Sequence, residues 1–231
     1  MFLENFFRFM GSLVCHQIPE RTLIIDNIPL PACARDTGIY IGVISGIIFL
    51  TARKRFHADW PPKVKHALLL ILMMFPMIID GTTSYIGLRY SDNLTRLMTG
   101  GFFGFPLAIF FTVARNYHPD NNSKIPPFSC LKELLIPLFF MILLLYFIYK
   151  GIILWFFVSL LLISGLLAMF YMIADSVVSI FEFQSKIKKK LVSIVGIFCI
   201  LGCLYLFSRY FLGAVNLSIP LAFLKSVCII P

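Results

Sequence analysis

Hydrophobic residues along the chain fall into long uninterrupted blocks separated by short polar connections. Because about 20 helical residues cross a bilayer at 1.5 Å each, blocks of this length predict membrane-spanning helices. The blocks place spans at about 33–52, 64–88, 93–114, 131–149, 152–175 and 191–210. Ahead of them, residues 2–17 put Phe2, Phe6, Phe9 and Leu13 on one stripe, interrupted by Glu4 and Arg8. That pattern, with no small-residue cleavage site, predicts an interfacial helix and not a signal peptide. Residues 17–31 carry Pro19, Pro29 and Pro31 around Asp26-Asn27, which predicts a loop or short reversal. The tail beyond 210 is apolar but short and broken by Pro220. It reads as interfacial or re-entrant, a seventh span being the alternative. The fold class expected is therefore all-α, a polytopic transmembrane bundle of about six spans. Residues 1–231 form a single membrane domain, with a motif-bearing half, 1–114, and a hydrophobic supporting half, 115–231.

Individual residues refine these spans. Pro76 lacks a backbone donor and should kink or locally break the second span. Asp92 or Ser91 should cap the third, where Gly100 and Gly104 make a small-xxx-small pair suited to close helix contact.

Composition agrees with this picture and narrows the partners. Only 13% of the 231 residues are charged and 59% are hydrophobic, against roughly 25% charged in a soluble domain. Net charge is +9, yet the basic residues sit in short connections beside the spans and not in aromatic-interleaved tracks, which argues against nucleic acid. Arg53, Lys54, Arg55, Lys63 and Lys65 crowd the first connection, Arg115, Lys124 and Lys132 flank the third, and Lys186, Lys188, Lys189 and Lys190 the fifth. Loops one, three and five are thus expected in the cytoplasm and both termini outside, with Arg8, Arg21 and Arg35 as exceptions. The natural location is a prokaryotic cell membrane.

That topology collects unusual polar groups at the outer end. Asp80, inside the second span, is costly in hydrocarbon unless it finds a partner, water or a proton. Arg89 and Arg96 are its expected partners; with Asn93 they have i, i+4, i+7 spacing and could hold phosphate or carboxylate. Gly81 would let backbone approach closely, and Arg21 and Arg35 could join the anion site. Cys15, His16, Cys33 and Asp36 offer ligands compatible with Zn2+ or another divalent metal. A Cys15–Cys33 disulfide or simple packing are the alternatives. Glu20 is a candidate general base beside a metal-bound water, or a partner of Arg21 or Arg35. His57, His66 and His118 fall at the opposite end as interfacial or loop residues. Asp175 reads as a helix-end carboxylate meeting the basic fifth connection, and Cys199 and Cys203 as packing residues. No phosphate loop, dinucleotide fingerprint, serine elbow or HExxH motif is present.

Four segments, CHQIPER at 15–21, CARDTGIYIG at 33–42, PMIIDGTTSYIGLR at 76–89 and SDNLTRLMTG at 91–100, together resemble a family of uncharacterised bacterial and archaeal membrane proteins, the domain of unknown function 2085. The family pattern commonly has a cysteine where this chain has Asp36. The resemblance implies that a redox or zinc-binding Cys-x-x-Cys has here become Cys33-x-x-Asp36, which keeps a metal ligand but not a dithiol. The resemblance names no reaction.

The leading functional expectation is a metal-assisted hydrolase or transferase acting on an anionic lipid or isoprenoid-like substrate at the non-cytoplasmic face. Asp80 or Glu20 would take the proton, and Arg21, Arg35, Arg89, Asn93 and Arg96 would hold the headgroup or another small anion. The alternatives are an ion-coupled transporter using Asp80, and a receptor or scaffold with a structural metal site.

Overall fold

A computed structural model describes residues 2–117, 124–179, 191–197, 199, 202 and 203. In chain order these form α1 (Phe2–Ser12), β1 (Ile24–Ile25), β2 (Ile28–Pro29), α2 (Ala34–Ala52), α3 (Val64–Tyr85), α4 (Asn93–Asn116), α5 (Lys132–Tyr149) and α6 (Trp155–Ser179). The protein is an all-α membrane helix bundle. Helices α2 to α6 are each long and apolar enough to cross a bilayer. Helix is the expected answer, because hydrocarbon offers backbone groups no partner and a helix satisfies them internally. Of the expected sixth span, residues 191–197 are helical. The rest of its continuous course, the basic fifth connection, His118 and the tail beyond 210 lie outside the described residues.

The innermost contact is between α2 and α4. Gly38, Gly42 and Gly46 recur every fourth residue on α2, and a Cβ at each would run into Leu97 O, Gly101 O and the Phe105–Ala108 turn of α4. Reciprocally, Gly100 and Gly104 face Arg35 O and Ile39 O. Glycine is required here because nothing larger leaves room for two backbones to touch. The expected Gly100–Gly104 pair is therefore half of an interlocked seam. Around it Ile41, Leu50, Leu97, Phe105 and Ile109 are buried. Helix α6 packs on α2 where Gly165 meets Tyr40 O, α5 closes over Gly101 with Leu145 and Met141, and α3 lies outermost against α4.

Several local expectations change. Of the kink or local break expected at Pro76, the break is not found: α3 is continuous there, as α4 and α5 are through Pro106 and Pro137. Each proline removes one donor, and the flanking turns keep their bonds where lipid offers no alternative. In α1 the buried side is set by Phe7, edge-on to Trp155 and Phe156, and by Leu13 just beyond the helix, while Phe6 and Phe9 are exposed. A stripe through Phe6 and Phe9 thus faces outward and not onto the bundle. Gly81 has no atom within 4 Å of where a Cβ would stand, so it supports no close approach. Its helix simply has no neighbour on that side.

The Pro-rich reversal is a two-residue hairpin, with Ile24 opposite Pro29 and Ile25 opposite Ile28. Asp26 and Asn27 both take positive φ at its tip, the geometry that Asx residues tolerate best. The hairpin caps the bundle: Asp26 Oδ2 accepts from the Trp155 amide at 2.9 Å, and the indole Nε1 donates to Pro29 O at 3.1 Å. One of the orphan amides opening α6 is so satisfied from 129 residues away.

The opposite end is tied by Arg53 to Glu133 at 2.9 Å, by Asn116 donating to Phe56 O at 3.0 Å, and by Arg115 over the Phe56 ring at 4.2 Å. His66, in the first turn of α3, is buried there and stacked on Phe128 at 5.1 Å. Asp175 Oδ1 accepts from the Ser193 hydroxyl at 3.1 Å. Cys199 and Cys203 are exposed, so neither is enclosed among the described residues.

Candidate functional site

The antiparallel order of the spans brings the start of α2, the end of α3 and the start of α4 to the same end of the bundle, under the N-terminal segment. Gln17, at positive φ, fixes that segment: its Nε2 donates to Arg8 O and to Pro31 O, each at 2.7 Å. Gly11 lies against Pro31 O, close enough that a Cβ would not fit. Cys15 is thereby laid over the residue that precedes α2.

Cys33 is that residue, and its backbone N–H donates to Cys15 Sγ at 3.2 Å. Its thiol donates to Asp36 Oδ2 at 3.2 Å, one helical turn on. The ligating atoms of Cys15, Cys33 and Asp36 all lie within 4.8 Å of one another. Contact with the Cys15 sulfur, then burial and the Asp36 charge, push the Cys33 thiol well above its ordinary range. The free thiol is thus protonated at neutral pH, and a bound metal would displace that proton. His16 is exposed and lines the same cavity, but the cluster of mutually close ligand atoms comprises Cys15, Cys33 and Asp36. Adjacent residues point apart, and the turn at Cys15 does not reverse that.

Asp80 is buried on the inner face of α3 and meets two guanidiniums. Arg35 donates to its Oδ2 at 2.5 Å, and Arg89 stands 3.9 Å from Oδ1. Arg35 also approaches the Ser84 hydroxyl at 3.4 Å. Its closer partner is Arg35, from the first turn of α2; of the two expected partners Arg89 stands at ion-pair distance and Arg96 does not. The reason is register: the glycine seam seats the first turn of α2 deep beside α4, at the depth of Asp80. Helix α4 starts only at Asn93, so Arg89 belongs to the preceding turn and the expected i, i+4, i+7 face is not formed.

Arg96 is buried, and its Nη1 has the Asn93 amide oxygen at 3.5 Å. Asn93 Nδ2 in turn donates to Glu20 O at 3.3 Å, tying α4 to the N-terminal segment. The Glu20 side chain is exposed, on the short 3-10 turn Pro19–Arg21. Arg21 lies over the Tyr85 ring at 5.5 Å. Asp92 caps α4 by accepting from the Thr95 amide at 3.2 Å, and hydrogen bonding by the Thr95 side chain, then by its amide, holds the carboxyl below the usual range.

These groups enclose a cavity of about 280 Å3 whose lining includes Cys15, His16, Cys33, Asp36, Arg21, Arg35 and Arg96. Four metal-compatible side chains, three of them mutually close, and three guanidiniums thus line one space. Tyr85 also lines it, a contact that the sequence pattern did not single out. Its place at the last turn of α3, one turn beyond Asp80, was the available signal.

The family model described as "Predicted membrane protein (DUF2085)" matches residues 15–110, from Cys15 into α4, a stretch that includes every cavity-lining residue named above. The uncharacterized protein MJ1492 of Methanocaldococcus jannaschii is 38% identical over 114 residues, which cover 46% of this chain and 71% of that protein. An uncharacterized protein of Methanothermobacter thermautotrophicus is 35% identical over 105 residues, covering 45% of this chain and 88% of its own. No solved structure matches the chain. With most of both archaeal proteins aligned to this chain and the family model matching residues 15–110, this chain belongs to the DUF2085 family of predicted membrane proteins.

Proposed function

We propose that the protein is a metal-dependent membrane hydrolase or transferase acting on an anionic lipid or isoprenoid-like substrate at the non-cytoplasmic face. One observation carries the reading: the cavity that holds the Cys15, Cys33 and Asp36 ligand atoms is also lined by Arg21, Arg35 and Arg96. A divalent metal such as Zn2+ would take those three ligands, with a coordination position left for water or substrate oxygen, and would supply Lewis acidity there. The guanidiniums would hold the headgroup and counter charge developing on it.

Asp80 takes a different part in this reading from the proton acceptor that its position in the sequence suggests. Engaged by Arg35 and flanked by Arg89, it is a positioning residue that aims two guanidiniums. Glu20, exposed beside the site, is the better placed proton acceptor. The basic connections put the opposite end in the cytoplasm, which leaves this site outside.

The test is elemental analysis of the purified full-length protein, joined to mass spectrometry of anionic lipids incubated with it and to side-specific labelling of Cys33. The expected result is one divalent metal per chain, lipid conversion that depends on it, and labelling from outside. Absence of metal together with cytoplasmic labelling of Cys33 would defeat the proposal. Ion flux abolished by Asp80→Asn, without lipid turnover, would favour a transporter. Unfolding on metal removal, without lipid chemistry, would favour a scaffold.

A further inference from the structure

We propose that the anionic group recognised here is a diphosphate carried on an apolar tail. This rests on reading the site as an anion pocket and goes further by naming the anion. A second cavity, of about 290 Å3, adjoins the first. Ile18, Arg21 and Arg96 line both, so two guanidiniums stand in the shared wall. Arg35 lines only the first chamber and Arg89 only the second.

Charge compensation is incomplete at that wall. Arg35 and Arg89 share the carboxylate of Asp80. Neither Arg21 nor Arg96 has a carboxylate within 4.0 Å among the described residues. Arg96 is only 6% exposed, and its one polar contact is the Asn93 amide oxygen at 3.5 Å. A buried guanidinium so poorly compensated is costly to hold and is relieved by an anion. A monophosphate in one chamber would leave the guanidiniums of the other set only against the shared Asp80 and the carboxylate in its own lining, Asp36 in the first and Glu20 in the second. Two phosphates joined by one oxygen place one anionic group in each chamber and both against the Arg21–Arg96 wall. The first phosphate would also lie beside Cys15, Cys33 and Asp36, the residues that would hold a divalent ion.

The surroundings supply the tail. Tyr85 lines the first chamber and Tyr90 the second. Tyr85 closes α3 and Tyr90 follows in the turn beyond it, and only 11% of the apolar stretch of α3 is buried. A hydrocarbon chain leaving the chambers would lie along that face in the bilayer.

Calorimetric titration of the detergent-purified full-length protein with inorganic pyrophosphate and with inorganic phosphate tests the assignment. Pyrophosphate should bind about tenfold tighter, the value of one added charge-assisted contact. Arg89→Gln, at a half-exposed side chain that bears little on folding, should remove most of that preference and leave phosphate affinity nearly unchanged. Equal affinities, or a preference that survives Arg89→Gln, would overturn the diphosphate and leave the anion pocket standing. Binding of neither anion would overturn both readings.

Discussion

Arg35 and Asp80 lie 45 residues apart, on different helices, and their charged groups meet at 2.5 Å with side chains 13% and 3% exposed. The pair joins the first turn of α2 to the last turns of α3. Helix α3 has few other polar ties to the bundle, so this bond sets its depth and rotation against the site. Asp80→Asn leaves a largely buried guanidinium without its main compensation and should destabilise the fold by about 3 kcal/mol. Arg35→Gln should cost a similar amount. The double variant should be less destabilised than the sum, with a coupling of roughly 1–3 kcal/mol. Reversible unfolding in mixed micelles measures all three, and strict additivity would mean that the pair is not a stabilising unit.

The glycine seam makes a contrasting pair of substitutions. A Cβ at Gly104 would strike Ile39 O, a backbone atom that cannot turn aside, so Gly104→Ala should cost about 1–3 kcal/mol. At Gly81 nothing stands within 4 Å, and alanine is the better helix former. Gly81→Ala should therefore be neutral or stabilising by up to about 1 kcal/mol. Thermal unfolding of both variants checks the prediction, and equal destabilisation would contradict the packing described.

Asp92 predicts a pH dependence. Its carboxyl is held below the usual range by hydrogen bonding to Thr95, side chain first and amide next, so the cap contributes stability above the unfolded carboxylate value. That contribution is lost as pH falls through the lower value of the folded state. Asp92→Ala should lower stability by about 1 kcal/mol or less at neutral pH, since the residue is exposed. The gap between variant and parent should close in acid. Unfolding of the two proteins between neutral pH and about pH 3 follows it, and a gap that widens in acid would have the wrong sign.

The ligand cluster predicts an order of metal affinities. Replacing Cys33 or Cys15 with serine removes a ligand and should weaken binding more than about 100-fold. His16→Ala should weaken it less than about tenfold, because that ring stands outside the mutually close set. Competition with a chelator of known affinity reads the difference. A loss from His16→Ala as large as from Cys33→Ser would place the imidazole in the first coordination sphere.

Much of this molecule was legible from one-dimensional pattern. Five of the six expected spans lie within a few residues of the helices found, because hydrocarbon accepts only long apolar segments with internally bonded backbones. The turn at Asp26-Asn27, the cap at Asp92 and the demand of Asp80 for a partner are equally local consequences of residue type. Which partner Asp80 finds is not local. It depends on how deep α2 sits beside α4, and that depth follows from Gly38, Gly42 and Gly46 meeting Gly100 and Gly104 across two helices. The same seating makes Arg35 the nearer partner, leaves Arg96 buried with no carboxylate partner among the described residues, and gathers Cys15 with Cys33 while His16 stays outside the close cluster. Periodicity tells each helix which face is apolar; only the meeting of two backbones fixes the register at which their polar ends coincide.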